Sequence, residues 1–357
     1  MHLLYYITPH GFGHGIRTCA ICNELSPGTK LTIRTGLPKR FFDEEISRPF
    51  DFAPATLDCG CVQNDGLTVD IPATVTGYCA IAEANRSRLH AEVAWCRDHH
   101  IDGIVADTTP FAFDVAYHAA LPSICVTNFT WLDIFEPYAR QIPAFLPYVE
   151  EIRRQYGRTD LLLALKPAME MGYFTRRIEA PVVAFKGKNI RSRILHTFGL
   201  HDDHKLALIY TGNFGMDSMA WERIERFEDW FFIGLYPLPG NPENYYVVEK
   251  DRFRYADLIA SSDLCISKIG YGTVAICMVN DIPLMYPPRS DFAEYPVLAA
   301  AVREWGKGYA VTTEAYYSLD WQEVLARIPA NAFRNPIPEN GAATCARKIE
   351  NHVNGGR

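Results

Sequence analysis

Residues 6–17 form the first part of the chain that could carry chemistry, with the sequence YITPHGFGHGIR. Gly11 and Gly13 let a ligand approach the backbone closely, and the helix that starts behind them offers N–H groups without intrahelical partners. The third glycine of a dinucleotide-binding loop is missing, and two histidines flank the glycines instead. We expect His14, at the end of the first strand, to meet a hydroxyl group in a cleft. The alternative is a tight turn whose histidines bind only backbone.

A second candidate is Asp107, the acid that ends an apolar run at residues 103–106. One interpretation is structural, because an Asp in this place can cap the following helix. The other is catalytic. Its carboxylate would accept a hydrogen bond from one nitrogen of the His14 imidazole, which fixes the tautomer and makes the other nitrogen the better base. Both residues would end strands of one parallel sheet, so we expect them to lie close together.

Two loops in the second half of the chain are candidates for binding phosphate. Residues 267–274, SKIGYGTV, and residues 210–215, YTGNFG, each follow an apolar strand-like run. Neither has the Walker pattern, which disfavours a P-loop ATPase. Each alone is compatible with a structural turn, but their recurrence at equivalent places predicts a nucleoside diphosphate site built from N–H groups, hydroxyls and one lysine. The predicted contacts are Thr211, Gly212, Asn213, Lys268, Gly270, Gly272 and Thr273.

A polar loop at residues 286–296 follows another strand-like run. Asp291 and Glu294 could accept hydrogen bonds from sugar hydroxyls, whereas a helix cap at Asp291 or plain solvent exposure explains the same residues. An aromatic group lies after the strand at 123–127. It could line an apolar or carbohydrate pocket, or it could fill the interface between domains. Its members are Phe129, Trp131, Phe135 and Tyr138.

The elements that must position these residues alternate between short apolar runs and helical patterns, which predicts parallel sheets with helices on both faces. We expect an α/β protein of two doubly wound, Rossmann-like domains that face each other across a cleft, with ligands at the carboxyl ends of the strands. The predicted domains span residues 1–175 and 190–340, and a final helix within 341–357 would cross back to the first domain. The predicted strands are residues 3–8, 31–35, 103–106, 123–127, 206–210, 230–235, 264–267, 282–286 and 308–311, and the helices include 15–25, 81–99 and 111–120.

The composition limits the class of protein. A chain of 357 residues, 48% apolar and 22% charged, fits a globular protein of about two domains. The net charge of −7, without a long basic run, disfavours nucleic acid as the main partner. No apolar run is long enough for a membrane span, while a peripheral membrane contact and the oligomeric state stay open. The ten cysteines are scattered among apolar runs without the spacing of a zinc site, which predicts a cytoplasmic chain without a metal centre.

Several of these segments resemble a known family. Residues 104–131, which include VAD at Asp107 and LPSICVTNFTW through Asn128 and Trp131, are similar to the glycosyltransferase-like half of plant and bacterial L-arabinokinases. The same holds for GFGH with Arg17 and for SKIGYGTV. More broadly, the chain resembles GT-B glycosyltransferases such as the UDP-glycosyltransferases and the muramyl N-acetylglucosaminyltransferases. The resemblance covers residues 1–140 and 255–312.

The resemblance implies an N-terminal acceptor domain, a C-terminal donor domain and an inverting sugar transfer that uses no metal. His14 would be the general base and Asp107 its orienting acid. The two glycine loops would bind the donor phosphates, and Asp291 and Glu294 would contact the sugar. The only further small molecule implied is the nucleotide-diphosphate sugar itself, a co-substrate and not a cofactor, together with an unidentified acceptor. The kinase half of the arabinokinases has no counterpart, so kinase activity is not expected. The residues implied on the acceptor side are His10, Gly11, Gly13, Arg17, Asn128 and Trp131.

One position departs from the family pattern. Many relatives have a Glu shortly after the glycine turn, where it binds the ribose of the nucleotide, but this chain has Ile276. Ile276 cannot accept a hydrogen bond, so the nucleotide is held differently, the donor is unusual, or donor binding is lost. Two other functions therefore remain alternatives to transfer: a catalytically inactive protein that binds a sugar nucleotide, and an epimerase-like enzyme on the same fold.

Overall fold

The structure is a computed structural model that describes residues 1–64, 68–201, 203–210, 218–249, 252–290, 292–329, 334–337 and 340–355. Over these residues the chain forms two parallel β-sheets of seven and six strands. The first sheet contains β1 His2–Ile7, β2 Lys30–Thr35, β3 Asp51–Pro54, β4 Gly103–Asp107, β5 Ser123–Thr127, β6 Leu161–Leu165 and β7 Arg177–Ala180. The second contains β8 Lys205–Tyr210, β9 Trp230–Gly234, β10 Tyr245–Val247, β11 Leu264–Ser267, β12 Leu284–Tyr286 and β13 Gly308–Ala310.

Helices cover the faces of both sheets. Around the first sheet they are α1 Phe12–Asn23, α2 Lys39–Glu45, α3 Ile71–Asp98, α4 Phe111–Ala119, α5 Trp131–Gln141 and α6 Leu146–Tyr156. In the second half they are α7 Arg191–Phe198, α8 Tyr255–Ser261, α9 Tyr271–Asn280, α10 Tyr295–Trp305, α11 Thr313–Tyr317 and α12 Gln322–Arg327, and α13 Gly341–Gly355 follows. Within the described part of the chain, none of the helices combines the length and the apolar character that crossing a bilayer requires.

The strand order places the functional loops. The first sheet runs β3-β2-β1-β4-β5-β6-β7 and the second β10-β9-β8-β11-β12-β13. In each sheet the first three strands extend toward one edge, and the next strand returns to the other side of the first one. Ligands of doubly wound sheets bind at the switch point between these two strands. The switch points therefore lie between the ends of β1 and β4 and between the ends of β8 and β11. The predicted fold class is confirmed.

Many bounds differ from the prediction by one to three residues, and the strands β3, β6, β7 and β10 were not predicted. Two differences are larger. Helix α3 begins at Ile71, where 81 was predicted, because the Asp70 side chain accepts from the Ala73 N–H and Pro72 occupies the first turn. The first sheet continues to β7, past the predicted domain end at 175. In β7 the charged residues Arg177 and Glu179 alternate with apolar ones, which is typical of an edge strand and is a weak sequence signal.

The last helix packs on the first domain. Glu350 of α13 accepts hydrogen bonds from the hydroxyls of Ser26 and Thr29, at 2.7 and 2.6 Å. Farther along α13, Val353 packs so closely over Gly103 that a Cβ on this glycine would lie 2.6 Å from the valine. One continuous apolar cluster contains side chains from α1, α9 and α13, so the two halves of the chain share part of their core.

Candidate active site at the domain interface

His14 and Asp107 lie together at the switch point of the first sheet. Ile7 at the end of β1 is paired with Asp107 at the end of β4, and α1 begins five residues further on at Phe12. His14 in the first turn of α1 therefore reaches the carboxylate, with 2.8 Å between Nδ1 and Oδ1. His14 is 8% exposed and Asp107 only 1%. The predicted proximity is thus realised by neighbouring parallel strands.

Arg17 completes this cluster and was not predicted as part of it. One turn along α1 from His14, its Nε donates to Asp107 Oδ2 at 2.6 Å and its Nη2 to Oδ1 at 2.5 Å. Burial alone would raise the pKa of Asp107, but the positive charge of Arg17, together with His14 and their hydrogen bonds, holds that pKa below its usual range. Asp107 is therefore a permanent carboxylate. Sequence spacing offered a signal, since residues three apart share one helix face.

The same contacts assign the tautomer of His14. Nη2 of Arg17 lies 2.9 Å from His14 Nδ1, yet both of its hydrogens have oxygen acceptors, Asp107 Oδ1 and Thr127 Oγ1, the latter at 3.1 Å. The proton between His14 and Asp107 therefore belongs to Nδ1, which leaves a lone pair on Nε2. Thr108, at φ +70°, also donates to Asp107 Oδ1 at 3.0 Å. A strained backbone position held by several contacts is common at functional sites.

A hydrogen-bond path leads from this cluster into the second domain. Arg17 Nη1 donates to Asn128 Oδ1 at 2.5 Å, and Asn128 Nδ2 donates to Glu294 Oε1 at 2.6 Å. Glu294, predicted to contact the sugar, is buried here against a residue of the acceptor side. Burial raises the pKa of Glu294, although the Asn128 hydrogen bond and the charge of Arg17 oppose that shift. Arg17 and Asn128, both implied on the acceptor side, thus lie in the interior and link the two domains.

The N-terminal ends of α1 and α9 meet where the domains face each other. A Cβ on Gly272 would lie 3.2 Å from the Cα of Gly13, so this approach of two backbones favours glycine. Gly270 is the N-cap residue of α9, and the Thr273 hydroxyl lies 3.4 Å from the Tyr255 hydroxyl. The structure therefore brings one predicted donor loop opposite the first glycine-rich turn.

The structure describes only some of the other residues predicted to contact the donor. Lys268 Nζ reaches across to Gln63 Oε1 of the first domain at 3.4 Å. Arg289, which sequence reasoning missed, holds its guanidinium 4.4 Å from the centre of the Phe292 ring. Four predicted residues lie outside the described part of the chain: Thr211, Gly212, Asn213 and Asp291.

The aromatic residues after β5 mostly fill the core of the first domain. Trp131 is fully buried, and its indole N–H donates to Asp58 Oδ2 at 2.6 Å. Phe135 stacks on Trp131 at 5.2 Å and is fully buried as well. Phe129 differs, because its ring lies 5.6 Å from His14 and 5.6 Å from Phe292 of the second domain. Trp131 and Phe135 therefore fill the core of the first domain, whereas Phe129 lies at the interface between the domains.

Ile276 lies in the contact between the domains. It is 2% exposed and lines a cavity of about 40 Å³ together with Ile16 of α1, Glu45 of α2, Arg254 and Tyr255. An apolar residue is suited to this packing position, where a carboxylate would be buried. Position 276, where the sequence departs from the family pattern, is thus part of the domain interface in this chain.

This fold and the facing switch points define the GT-B class of glycosyltransferase folds, and solved structures agree. A glycosyltransferase of kitacinnamycin has a TM-score of 0.64 and 12% identity, covering 99% of this chain and 95% of that one. Spinosyn rhamnosyltransferase SpnG complexed with thymidine diphosphate has a TM-score of 0.61 at 13% identity, covering 99% and 96%. UGT2 of Phytolacca americana, complexed with UDP-2-fluoro-glucose and pterostilbene, has a TM-score of 0.63 at 10% identity, covering 100% of this chain and 95% of that one. The chain therefore has the GT-B fold.

A curated relative narrows the comparison. The chain is 30% identical to L-arabinokinase of Arabidopsis thaliana over 331 residues, which is 90% of this chain and 32% of that protein. This chain thus spans about a third of the length of that relative. No family model matches the sequence. The resemblance inferred from the motifs is confirmed as a sequence relationship to L-arabinokinase within the GT-B fold.

Proposed function

We propose that this chain is an inverting glycosyltransferase that moves a sugar from a nucleotide-diphosphate sugar to an acceptor hydroxyl. The observation that carries the proposal is the 2.8 Å hydrogen bond from His14 Nδ1 to Asp107, which leaves the Nε2 lone pair available as a base where the two domains meet. In this mechanism His14 takes the proton of the acceptor hydroxyl as its oxygen attacks the anomeric carbon, and the bond from that carbon to the diphosphate oxygen breaks.

Asp107 and Arg17 support this step through their charges. Proton uptake makes the His14 imidazole positive, and the Asp107 carboxylate beside it stabilises that charge. Arg17 balances Asp107 before the reaction, so the site does not hold an unpaired buried anion. The cluster therefore orients the base in the resting enzyme.

The second domain would receive the leaving diphosphate. Its negative charge would be stabilised by Lys268 and by the N–H groups at the start of α9. The helix dipole adds partial positive charge at this end of α9. We propose that these groups replace a metal ion in the reaction. Support by analogy comes from the structural neighbours solved with thymidine diphosphate and with a UDP-sugar.

The test begins with the full chain and a panel of UDP-, GDP- and TDP-sugars, with release of the nucleoside diphosphate as the readout because hydrolysis needs no identified acceptor. Wild-type turnover with one donor, unchanged by a chelator, and a loss of about 10²- to 10⁴-fold in His14→Ala would support the proposal. His90→Ala, on the exposed side of α3, is the matched control. Full turnover in His14→Ala would refute the assignment of the base.

A second function, sugar-nucleotide binding without transfer, is favoured by Ile276, because its place in relatives holds a ribose-binding acid. Calorimetry with the same nucleotides separates the two functions. Tight binding of a sugar nucleotide without release of diphosphate in the presence of candidate acceptors would favour the binding protein. Measurable turnover would remove it.

A further inference from the structure

His10 is held in an unusual way at the same interface. Its Nδ1 accepts a hydrogen bond from the backbone N–H of Cys61 at 3.0 Å. Gly60, at φ +63°, makes room for the ring, since a Cβ there would lie 2.4 Å from the imidazole. Because an acceptor nitrogen carries no proton, the proton of the neutral ring is on Nε2. Among the described residues, Nε2 has no hydrogen-bond partner.

The ring lies near both the predicted base and the cations of the second domain. It stacks on Phe292 at 6.1 Å with 7° between the planes, and the Arg289 guanidinium lies over the same Phe292. The centre of the His14 ring is 6.2 Å from that of His10. His10 is therefore placed where a sugar nucleotide would extend from its anomeric carbon, near His14, to its diphosphate, near Lys268 and Arg289.

The electrostatic surroundings keep this ring neutral. Burial lowers the pKa of His10 to about 3, and the positive charges of Arg289 and Lys268 lower it in the same direction. At neutral pH the ring is therefore a neutral hydrogen-bond donor surrounded by cationic groups. Such surroundings favour an anion as the acceptor of the Nε2 hydrogen bond.

We propose that His10 touches the substrate and donates a hydrogen bond from Nε2 to the diphosphate of the nucleotide sugar, next to Lys268 and Arg289. This inference rests on the proposed function and moves His10 from the acceptor side, where the resemblance implied it, to the donor side. During transfer the diphosphate gains negative charge as its bond to the sugar breaks, so the hydrogen bond strengthens in the transition state. His10 would then assist departure of the leaving group without giving up its proton.

Two substitutions separate the two nitrogens of His10. Asn at this position can still accept from Cys61 but has no N–H where Nε2 lies, whereas Gln places an amide N–H near that point. By calorimetry with UDP, TDP and GDP, we expect His10→Asn to lose about 10-fold in affinity for the diphosphate that wild type binds. Affinity for the corresponding nucleoside should not change. His10→Gln should recover most of the loss, and its kcat should fall less than that of His10→Asn.

The outcomes separate this inference from the proposed function. If wild type binds none of the three nucleoside diphosphates, both are wrong. If wild type binds one and His10→Asn binds it equally well, only the role of His10 is wrong. An equal loss for diphosphate and nucleoside would indicate a structural role and also overturn the inference. Should the variants not fold, nitrogen-15 imidazole spectra of wild type decide, since the Nε2–H signal of the neutral histidine must move on addition of diphosphate and not of nucleoside.

Discussion

The two facing ends of the domain interface occupy equivalent places in their sheets but are built differently. At the ends of β1 and β4 the contacts are made by side chains, and Asp107 binds both His14 and Arg17 within 3 Å. At the end of β11 the described residues present glycines and the start of α9, and two cationic residues follow the strands here, Lys268 after β11 and Arg289 after β12. In the described part of the chain, the same topology thus supports a side-chain cluster of fixed geometry on one side and a largely backbone surface on the other.

This difference follows from what each end has to do under the proposed function. A general base must hold one tautomer and one direction, which requires several directed hydrogen bonds. A diphosphate carries its charge over many oxygens and tolerates several arrangements of donors and cations. Position 276 fits this contrast, because an apolar packing residue stands on the side that shows fewer directed contacts among the described residues.

The largest effect is expected from Asp107→Asn. Loss of the carboxylate leaves the buried Arg17 charge without its partner, which should cost about 3–5 kcal/mol in the free energy of unfolding and at least about 100-fold in turnover. Urea denaturation and diphosphate release measure the two. The double variant Arg17→Met/Asp107→Asn should regain most of the stability but not the turnover. If Asp107→Asn were as stable as wild type, the Arg17–Asp107 ion pair would not stabilise the fold around His14.

Ile276→Glu tests the opposite end. A carboxylate buried between the domains should lower the free energy of unfolding by about 3 kcal/mol and bring no gain in nucleotide affinity. Ile276→Leu, which keeps the volume, is the control and should cost less than about 1.5 kcal/mol. Tighter binding of UDP, TDP or GDP by the Glu variant would contradict this expectation, because it would mean that ribose reaches position 276 after all.

A pair of exchanges between Lys and Arg sharpens the contrast. Arg17→Lys keeps the charge but cannot contact both Asp107 oxygens and Asn128 at once, so turnover should fall about 10- to 100-fold with little change in KM. Lys268→Arg keeps a cation at the donor end and should remain within about 3-fold of wild type. Comparable losses of turnover in both variants would mean that the ends of β1 and β4 do not depend on precise geometry more than the end of β11 does.

The smallest effect concerns Glu294, which connects the two ends. Because burial raises its pKa, the folded chain holds this proton more tightly than the unfolded chain. Wild-type stability should therefore decline as the pH rises from the ordinary carboxyl range, about 4, through the raised pKa of Glu294. Glu294→Gln keeps an acceptor for Asn128 and should lack this decline. Parallel curves of stability against pH for the two proteins, between mildly acidic and neutral pH, would argue against a raised pKa of Glu294.

Part of the site could be read from residue patterns alone. Asp107 ends a strand-like run and His14 follows another after a glycine-rich turn, and parallel strands bring their carboxyl ends to one edge of a sheet, so a pairing was predictable. The role of Arg17 was missed because its distance from His14 along α1 suggests a shared face but not a partner. The contact of Glu294 with Asn128 had no signal, since it joins residues 166 positions apart in different domains.

The amino-acid sequence by itself determined the alternation of strands and helices, and with it the doubly wound class, because apolar periodicity and glycine turns are local properties. It also indicated which loops carry candidate groups for binding or deprotonating a substrate. Only the tertiary structure decided which of these groups meet. The buried Arg17–Asp107 pair, the Asn128–Glu294 bridge and the packing of Ile276 depend on how two separate sheets are set against each other, and that arrangement arises from the whole interface and not from any single segment.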